Sequence, residues 1–208
     1  MKRVQRPRRR LDAETAREVI LDAAEARLVA VGPSGLRLQE VARTAGVSHP
    51  TVLHHFGSRE GLVHAVASRA VRSMNAALVD AIAGSEGDEE RLQAILARTG
   101  EALDSGHARV VLWLALEGRV VDDAGSGLRE VVDATHALRL ARVPAGAEAP
   151  TREDTARTVV LAALALVAGA VVGPTLLERA GLSGGARSAA GFRRWLGRLL
   201  LGHLDASG

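Results

Sequence analysis

Apolar residues recur along this chain mostly at three- and four-residue spacings. That is the signature of amphipathic helices, not of strands, where polarity alternates every second residue. Over 13–31 the apolar set is Ala16, Val19, Ile20, Ala23, Ala24, Leu28 and Val31. Asp12 stands where it can cap this helix, and Gly32-Pro33-Ser34-Gly35 stops it. The pattern then predicts a short helix over about 38–45 ended by Gly46, and another from Ser48 to near Phe56-Gly57. A long helix capped by Ser58 reaches roughly Ala83, before a break at Gly84–Asp88.

The second half continues in the same way. Leu92, Ile95, Leu96, Thr99 and Leu103 form one stripe, and Leu128, Val131, Val132, Thr135 and Leu138 another. Phe192, Trp195, Leu196, Leu199, Leu200, His203 and Leu204 mark a C-terminal amphipathic helix. His107–Gly118 is apolar on nearly all sides through Val110–Leu116, which predicts a buried helix. Val143–Pro150 reads as a linker. With no alternating strand and no internal repeat, the fold class is all-α.

Val159–Leu177 holds nineteen residues without a charge, enough in principle to span a bilayer. It is rich in weakly hydrophobic Ala, contains Gly169, Gly173 and Pro174, and has no aromatic belt. Ala165, Gly169 and Gly173 form a row of small residues that lets helix backbones approach closely. The expectation is a buried helix at a helix–helix interface and no membrane partner.

Composition narrows the function classes. The chain has 208 residues, 47% hydrophobic and 25% charged, which suits a globular protein with a sizeable core. It has no Cys, which excludes disulfides and thiolate metal sites and agrees with a reducing, cytoplasmic setting. Met1–Arg10 is basic but leads into no apolar run, so it does not read as a secretory signal. Residues 1–72 carry 13 Lys and Arg against 7 Asp and Glu, a net of +6, and the remainder carries −3. A basic front and an acidic back imply two parts with different partners, the front facing a polyanion. No phosphate-binding Gly-rich loop, nucleophile elbow or suggestive carboxylate pair occurs, and Ser126 reads as a helix cap. Neither an enzyme nor a cofactor is expected.

The most informative stretch is Leu38–Leu62, LQEVARTAGVSHPTVLHHFGSREGL. Val41, Ala42 and Ala45 give a first helix its inward face, Gly46 suits a left-handed C-terminal residue, and Val47 plugs the turn. Ser48 can cap the N–H of Thr51, Pro50 is tolerated in the first turn, and Val52 and Phe56 face inward. This is the spacing of a helix-turn-helix, whose second helix can lie in the DNA major groove. His49, Thr51, Leu53, His54 and His55 remain for the other faces. Adjacent histidines on a helix diverge and no carboxylates accompany them, so they point to DNA and not to metal.

The flanks resemble the TetR family of bacterial transcriptional regulators. Arg17-Glu18-Val19-Ile20-Leu21-Asp22-Ala23-Ala24 is similar to that family's first-helix pattern, and Gly32 to the glycine that closes it. Val41-Ala42, Ala45-Gly46-Val47-Ser48, Thr51, His55-Phe56, Ser58, Glu60 and Leu62 match the rest, over about residues 13–66. The resemblance implies a basic arm over 1–12, a three-helix DNA-binding domain over 13–72 and a helical-bundle domain for effector and dimer over 73–208. It implies that His49, Pro50 and Thr51, after Ser48, approach base edges, that His55 meets phosphate, and that Arg59 stands where a phosphate-binding Lys is usual. Leu53 replaces a usual Tyr and either touches a thymine methyl or packs, and Arg37 replaces a Ser or Thr at the start of the second helix. Segments 151–181 and 188–204 should pair with their symmetry mates as a four-helix bundle.

The implied function is a ligand-responsive repressor that binds a palindromic operator as a homodimer in the bacterial cytoplasm, associated with the nucleoid through DNA, and is released by a small molecule. The alternative is a related DNA-binding protein without an effector, organising chromosomes or working with a protein partner. Arg6, Arg8, Arg9 and Arg10 suit a minor-groove arm or a solubilising tail. His107, Trp113, Glu117 and His136 are candidates for an effector pocket or, alternatively, core and solvated helix positions.

Overall fold

The computed structural model describes residues 12–84, 87–104, 106–118 and 127–206. The N-terminal arginines and Ser126 lie outside the described residues. Among those described there are ten α-helices, one 3-10 turn and no strand. The chain divides into two compact units, one ending at Val66 and the other beginning at Ala67. The division falls inside a helix, somewhat earlier than the 72/73 boundary expected from the sequence.

The first unit is built from α1 (Ala13–Gly35), α2 (Leu38–Thr44), α3 (His49–Phe56) and the start of α4 (Arg59–Gly84). Asp12 caps α1 by accepting the Thr15 N–H at 2.8 Å, and that bond holds the Asp12 carboxyl below its ordinary pKa. Non-helical geometry at Gly32 kinks α1 where the sequence placed its end. Ile20, Ala24, Val41, Val52, Leu62 and Val63 are fully buried and form the core. Each large aliphatic side chain among them contributes on the order of 1.5–3 kcal/mol. Arg27 of α1 pairs with Glu40 of α2, and the Arg17 guanidinium sits 5.0 Å from the centroid of the Phe56 ring, tying α1 to α3.

The second unit comprises the remainder of α4 with α5 (Asp88–Asp104), α6 (His107–Leu116), α7 (Gly127–Leu140), α8 (Arg152–Val171), α9 (Gly173–Arg179), a 3-10 turn at Gly184–Arg187 and α10 (Ala189–Ala206). α8 is the hub and packs on α5, α6, α7, α9 and α10. Its first turns carry a polar cluster. The Arg139 guanidinium donates to Asp154 Oδ2 and to Thr155 Oγ1, both at 2.8 Å, and His136 Nδ1 lies 3.1 Å from the same Thr155 hydroxyl. Thr155 is fully buried.

Two expectations need correction. α6 is not buried all round: Ala108, Val110 and Leu114 are buried, while Leu116 is 80% exposed. Its apolarity runs past the one face that the neighbouring helices cover. The uncharged run is not one buried helix either. It breaks at Val172 between α8 and α9, where Pro174 occupies the first turn of α9 and cannot continue the α8 hydrogen bonds. α8 is long and apolar enough to cross a membrane by length and composition, but only 11% of its apolar window is buried within the chain. Val160, Leu161 and Leu164 of α8 and Trp195 and Leu199 of α10 are exposed. The small-residue row does permit close approach: a Cβ on Gly169 would lie 2.8 Å from the Phe192 ring of α10.

Candidate nucleic-acid interface and apolar pocket

The α2–α3 turn is determined locally. The Val47 N–H donates to the Ala42 carbonyl at 3.0 Å and the Gly46 N–H to the Arg43 carbonyl at 3.3 Å. This reciprocal pair is the Schellman closure of a helix, and it needs a left-handed residue at its centre. Gly46 supplies it with φ +69. The chain re-enters a helix at once because Ser48 is extended and its Oγ accepts the Thr51 N–H at 3.2 Å. The Thr51 hydroxyl lies 2.7 Å from the same oxygen.

α3 buries Val52 and turns its remaining surface outward. Pro50, Leu53 and His54 are exposed, as is Ser48, while His49, Thr51, His55 and Phe56 are half-buried. Pro50 has no N–H and that of Thr51 is held by Ser48, so this helix start presents fewer backbone amides than usual and its side chains carry more of the chemistry. The His54 and His55 rings meet edge to face at 5.5 Å. Arg37 is exposed at the N-cap of α2 and makes no side-chain capping bond.

Arg59, whose position implies a phosphate contact, is engaged by partners within the protein. Its Nε donates to the Leu36 carbonyl at 3.1 Å, its Nη2 donates to the Pro33 carbonyl, and its Nη1 pairs with Glu60 at 3.0 Å. The guanidinium therefore crosses the α1–α2 turn and holds it to the start of α4. The Glu60 carboxyl is held below its ordinary pKa, chiefly by its own backbone N–H and then by Arg59.

The comparisons with known proteins bear on this geometry. The family profile described as "Bacterial regulatory proteins, tetR family" matches residues 20–66, the span of the helix-turn-helix and its supports. An uncharacterised HTH-type transcriptional regulator of Mycobacterium tuberculosis is 30% identical over 148 residues, covering 71% of this chain and 72% of that one. The chain belongs to the TetR family. It is thus a TetR-family transcriptional regulator with a DNA-binding helix-turn-helix.

Other TetR-family relatives agree. The HTH-type transcriptional regulator BetI of Burkholderia ambifaria is 29% identical over 112 residues, 53% of this chain and 58% of BetI. A transcriptional regulator from Rhodococcus sp. RHA1 superposes with TM-score 0.64 at 18% identity, covering 91% of this chain and 95% of that one. LfrR of Mycobacterium smegmatis, solved in complex with proflavine, superposes with TM-score 0.52 at 20% identity, covering 93% and 97%. At these identities the structural likeness speaks for the fold alone.

In the second unit, α4, α5, α7, α8 and α10 of this TetR-family chain leave a cavity of about 210 Å³ between them. Leu78, Ile95, Val131, Ala163, Leu166 and Leu200 are among its walls, with Thr99, Thr135, Thr158, Asn75 and Arg91 as its polar members. His107, Trp113, Glu117 and His136 do not line it. His107 and Trp113 are half-buried on α6, Glu117 is exposed just beyond that helix, and His136 is turned to Thr155. The pocket was legible only in part. Thr99 and Thr135 already stood inside the apolar stripes of α5 and α7, where a β-branched polar residue on a core face is the available signal. Nothing in the sequence marked Asn75 or Arg91.

Proposed function

We propose that this chain is a ligand-responsive repressor. It binds a palindromic operator as a homodimer in the cytoplasm and is released by a small molecule held in the second unit. The observation that carries this reading is the five-helix apolar cavity, whose wall includes Met74, Asn75, Leu78 and Ile82 of α4. α4 is also the helix whose first residue, Arg59, fixes the α1–α2 turn. A ligand that prefers one placement of α4 over another lowers operator affinity by its differential affinity for the two states. The complex of LfrR with proflavine supports a small-molecule role for this fold.

Dimerisation is supported by the exposed apolar side chains of α8 and α10, Leu161, Leu164, Trp195 and Leu199. Exposed apolar surface of this kind marks an interaction site. Its occupant in this reading is the same pair of helices from a second copy. Two α3 helices then enter successive major grooves about one turn, roughly 10 bp, or a multiple of it apart. His49, Pro50, Thr51 and Leu53 meet base edges, while Arg37, His54 and His55 meet the backbone.

Selection of bound sequences from random DNA tests the reading. A palindromic motif, bound in a salt-sensitive way by a dimer, supports it. A collection without symmetry, or binding by a monomer, overturns it.

A further inference from the structure

We infer that the ligand of the five-helix cavity is a small aliphatic molecule that carries no positive charge, an alcohol or a short fatty carboxylate, and that planar aromatic cations are refused. The inference rests on the effector reading given above and adds the chemistry of its ligand.

Cavity size sets the first limit. A cavity of about 150 Å³ accommodates benzene, so 210 Å³ accommodates roughly eight to ten heavy atoms on the same scale.

Wall chemistry sets the second. Among the described lining residues there is no aromatic ring and no carboxylate. A cation has nothing there to neutralise it or to stack on. Arg91 is the one charged residue among the described lining residues. Arg91 is 8% exposed, and its Nε donates to the Ile82 carbonyl at 3.0 Å. That bond holds the guanidinium against the last turns of α4, where Ile82 also lines the cavity.

The threonines set the third limit. Thr99 Oγ1 donates to the Ile95 carbonyl at 2.6 Å, Thr135 Oγ1 to Val131 at 2.7 Å and Thr158 Oγ1 to Asp154 at 2.9 Å. Each hydroxyl hydrogen is committed to its own helix, so the cavity is offered a methyl group and an oxygen with acceptor capacity. A ligand hydroxyl, itself a donor, matches these oxygens, while the donors a carboxylate needs are confined to the other polar lining residues, Asn75 and Arg91.

Calorimetric titration of the protein with 1-octanol, octanoate, octylammonium and proflavine tests this. Operator affinity is followed in parallel by fluorescence anisotropy. We expect 1-octanol or octanoate to bind at least tenfold more tightly than octylammonium and proflavine and to release operator. Ala163→Leu, which fills the cavity, should weaken 1-octanol by tenfold or more. Val167→Ile adds one methylene to the same wall and serves if Ala163→Leu does not fold.

Binding of octylammonium or proflavine tighter than that of 1-octanol and octanoate, and abolished by the wall variants, overturns the inference and leaves the effector reading standing. Failure of all four to bind overturns the inference. Binding of 1-octanol that is sensitive to the wall variants but leaves operator affinity unchanged overturns the effector reading and supports the ligand chemistry.

Discussion

Arg59 Nε donates to the Leu36 carbonyl at 3.1 Å, across twenty-three residues of sequence. The basic residue at the head of α4 is therefore part of the scaffold that sets the angle of the helix-turn-helix. Replacing Arg59 by Ala leaves the Pro33 and Leu36 carbonyls without their charged donor. Hydrogen bonds to charged groups contribute about 1.5–3 kcal/mol, so urea unfolding should show a loss of that order. The slope of log K against log salt should stay nearly constant, because the guanidinium already spends its donors on Leu36, Pro33 and Glu60. A slope reduced by about one unit would return Arg59 to the DNA surface.

Thr51 is a test of base reading. Thr51→Val keeps the shape and removes the hydroxyl that lies 2.7 Å from Ser48 Oγ. Sequence preference at one position of each half-site should relax by about 1–3 kcal/mol, as measured by competition with single-base variants of the operator. Ser48→Ala acts differently. It removes the cap of α3, costs about 1 kcal/mol in stability, and should weaken binding to all sequences alike.

The meeting of Gly169 with Phe192 fixes how closely α8 and α10 lie. Gly169→Ala places a methyl group 2.8 Å from the Phe192 ring. Overpacking of this kind typically costs about 1–3 kcal/mol. The thermal midpoint should fall, and Phe192→Leu in the same chain should restore part of it.

Asp154 gives the second unit an acid-sensitive joint. The hydrogen bond from Arg139 holds its carboxyl below the ordinary aspartate range, with the Coulombic attraction of Arg139 adding to the effect. A depressed carboxylate stabilises the fold fully above its unfolded pKa, and the stabilisation is lost as pH falls through the lower folded value. Denaturation followed by circular dichroism should therefore show stability declining below about pH 4. Asp154→Asn should lower stability at neutral pH by roughly 1–3 kcal/mol, because the Arg139 side chain is only 4% exposed and loses its counter-charge. The same variant should flatten the acid decline.

Leu164→Glu on the exposed face of α8 tests assembly. Leu164 is 65% exposed in the isolated chain, so the substitution should leave the protomer folded. Sedimentation should then report a monomer, and operator affinity should fall by more than tenfold.

What the sequence made legible was what neighbours in sequence decide. Gly46, Val47, Ser48 and Pro50 specify the turn between α2 and α3 through contacts three to five residues apart, so their pattern carried the geometry. Arg59 could not be read in the same way. Its charge was visible, but the carbonyls that hold it belong to the kink of α1. The pocket was harder still. Apolar stripes on α5 and α7 say which face turns inward, and not whether the five faces that meet will fill the space. The residues that stood out, His107, Trp113, Glu117 and His136, did so by being polar or aromatic. The walls are made of the same aliphatic side chains as any core. α6 shows the limit of composition: Leu116 continues its apolar run into solvent.

The placement of the two tryptophans gives the protein a natural optical division. Trp113 is half-buried on α6 and Trp195 is 52% exposed on α10, and both follow the division at Val66. Excitation near 295 nm therefore leaves the helix-turn-helix dark. A blue shift of the emission on concentration would register the burial of Trp195 in an assembly. Unfolding of the DNA-binding unit alone would pass unseen in the same signal, so the two events can be separated without attaching a label.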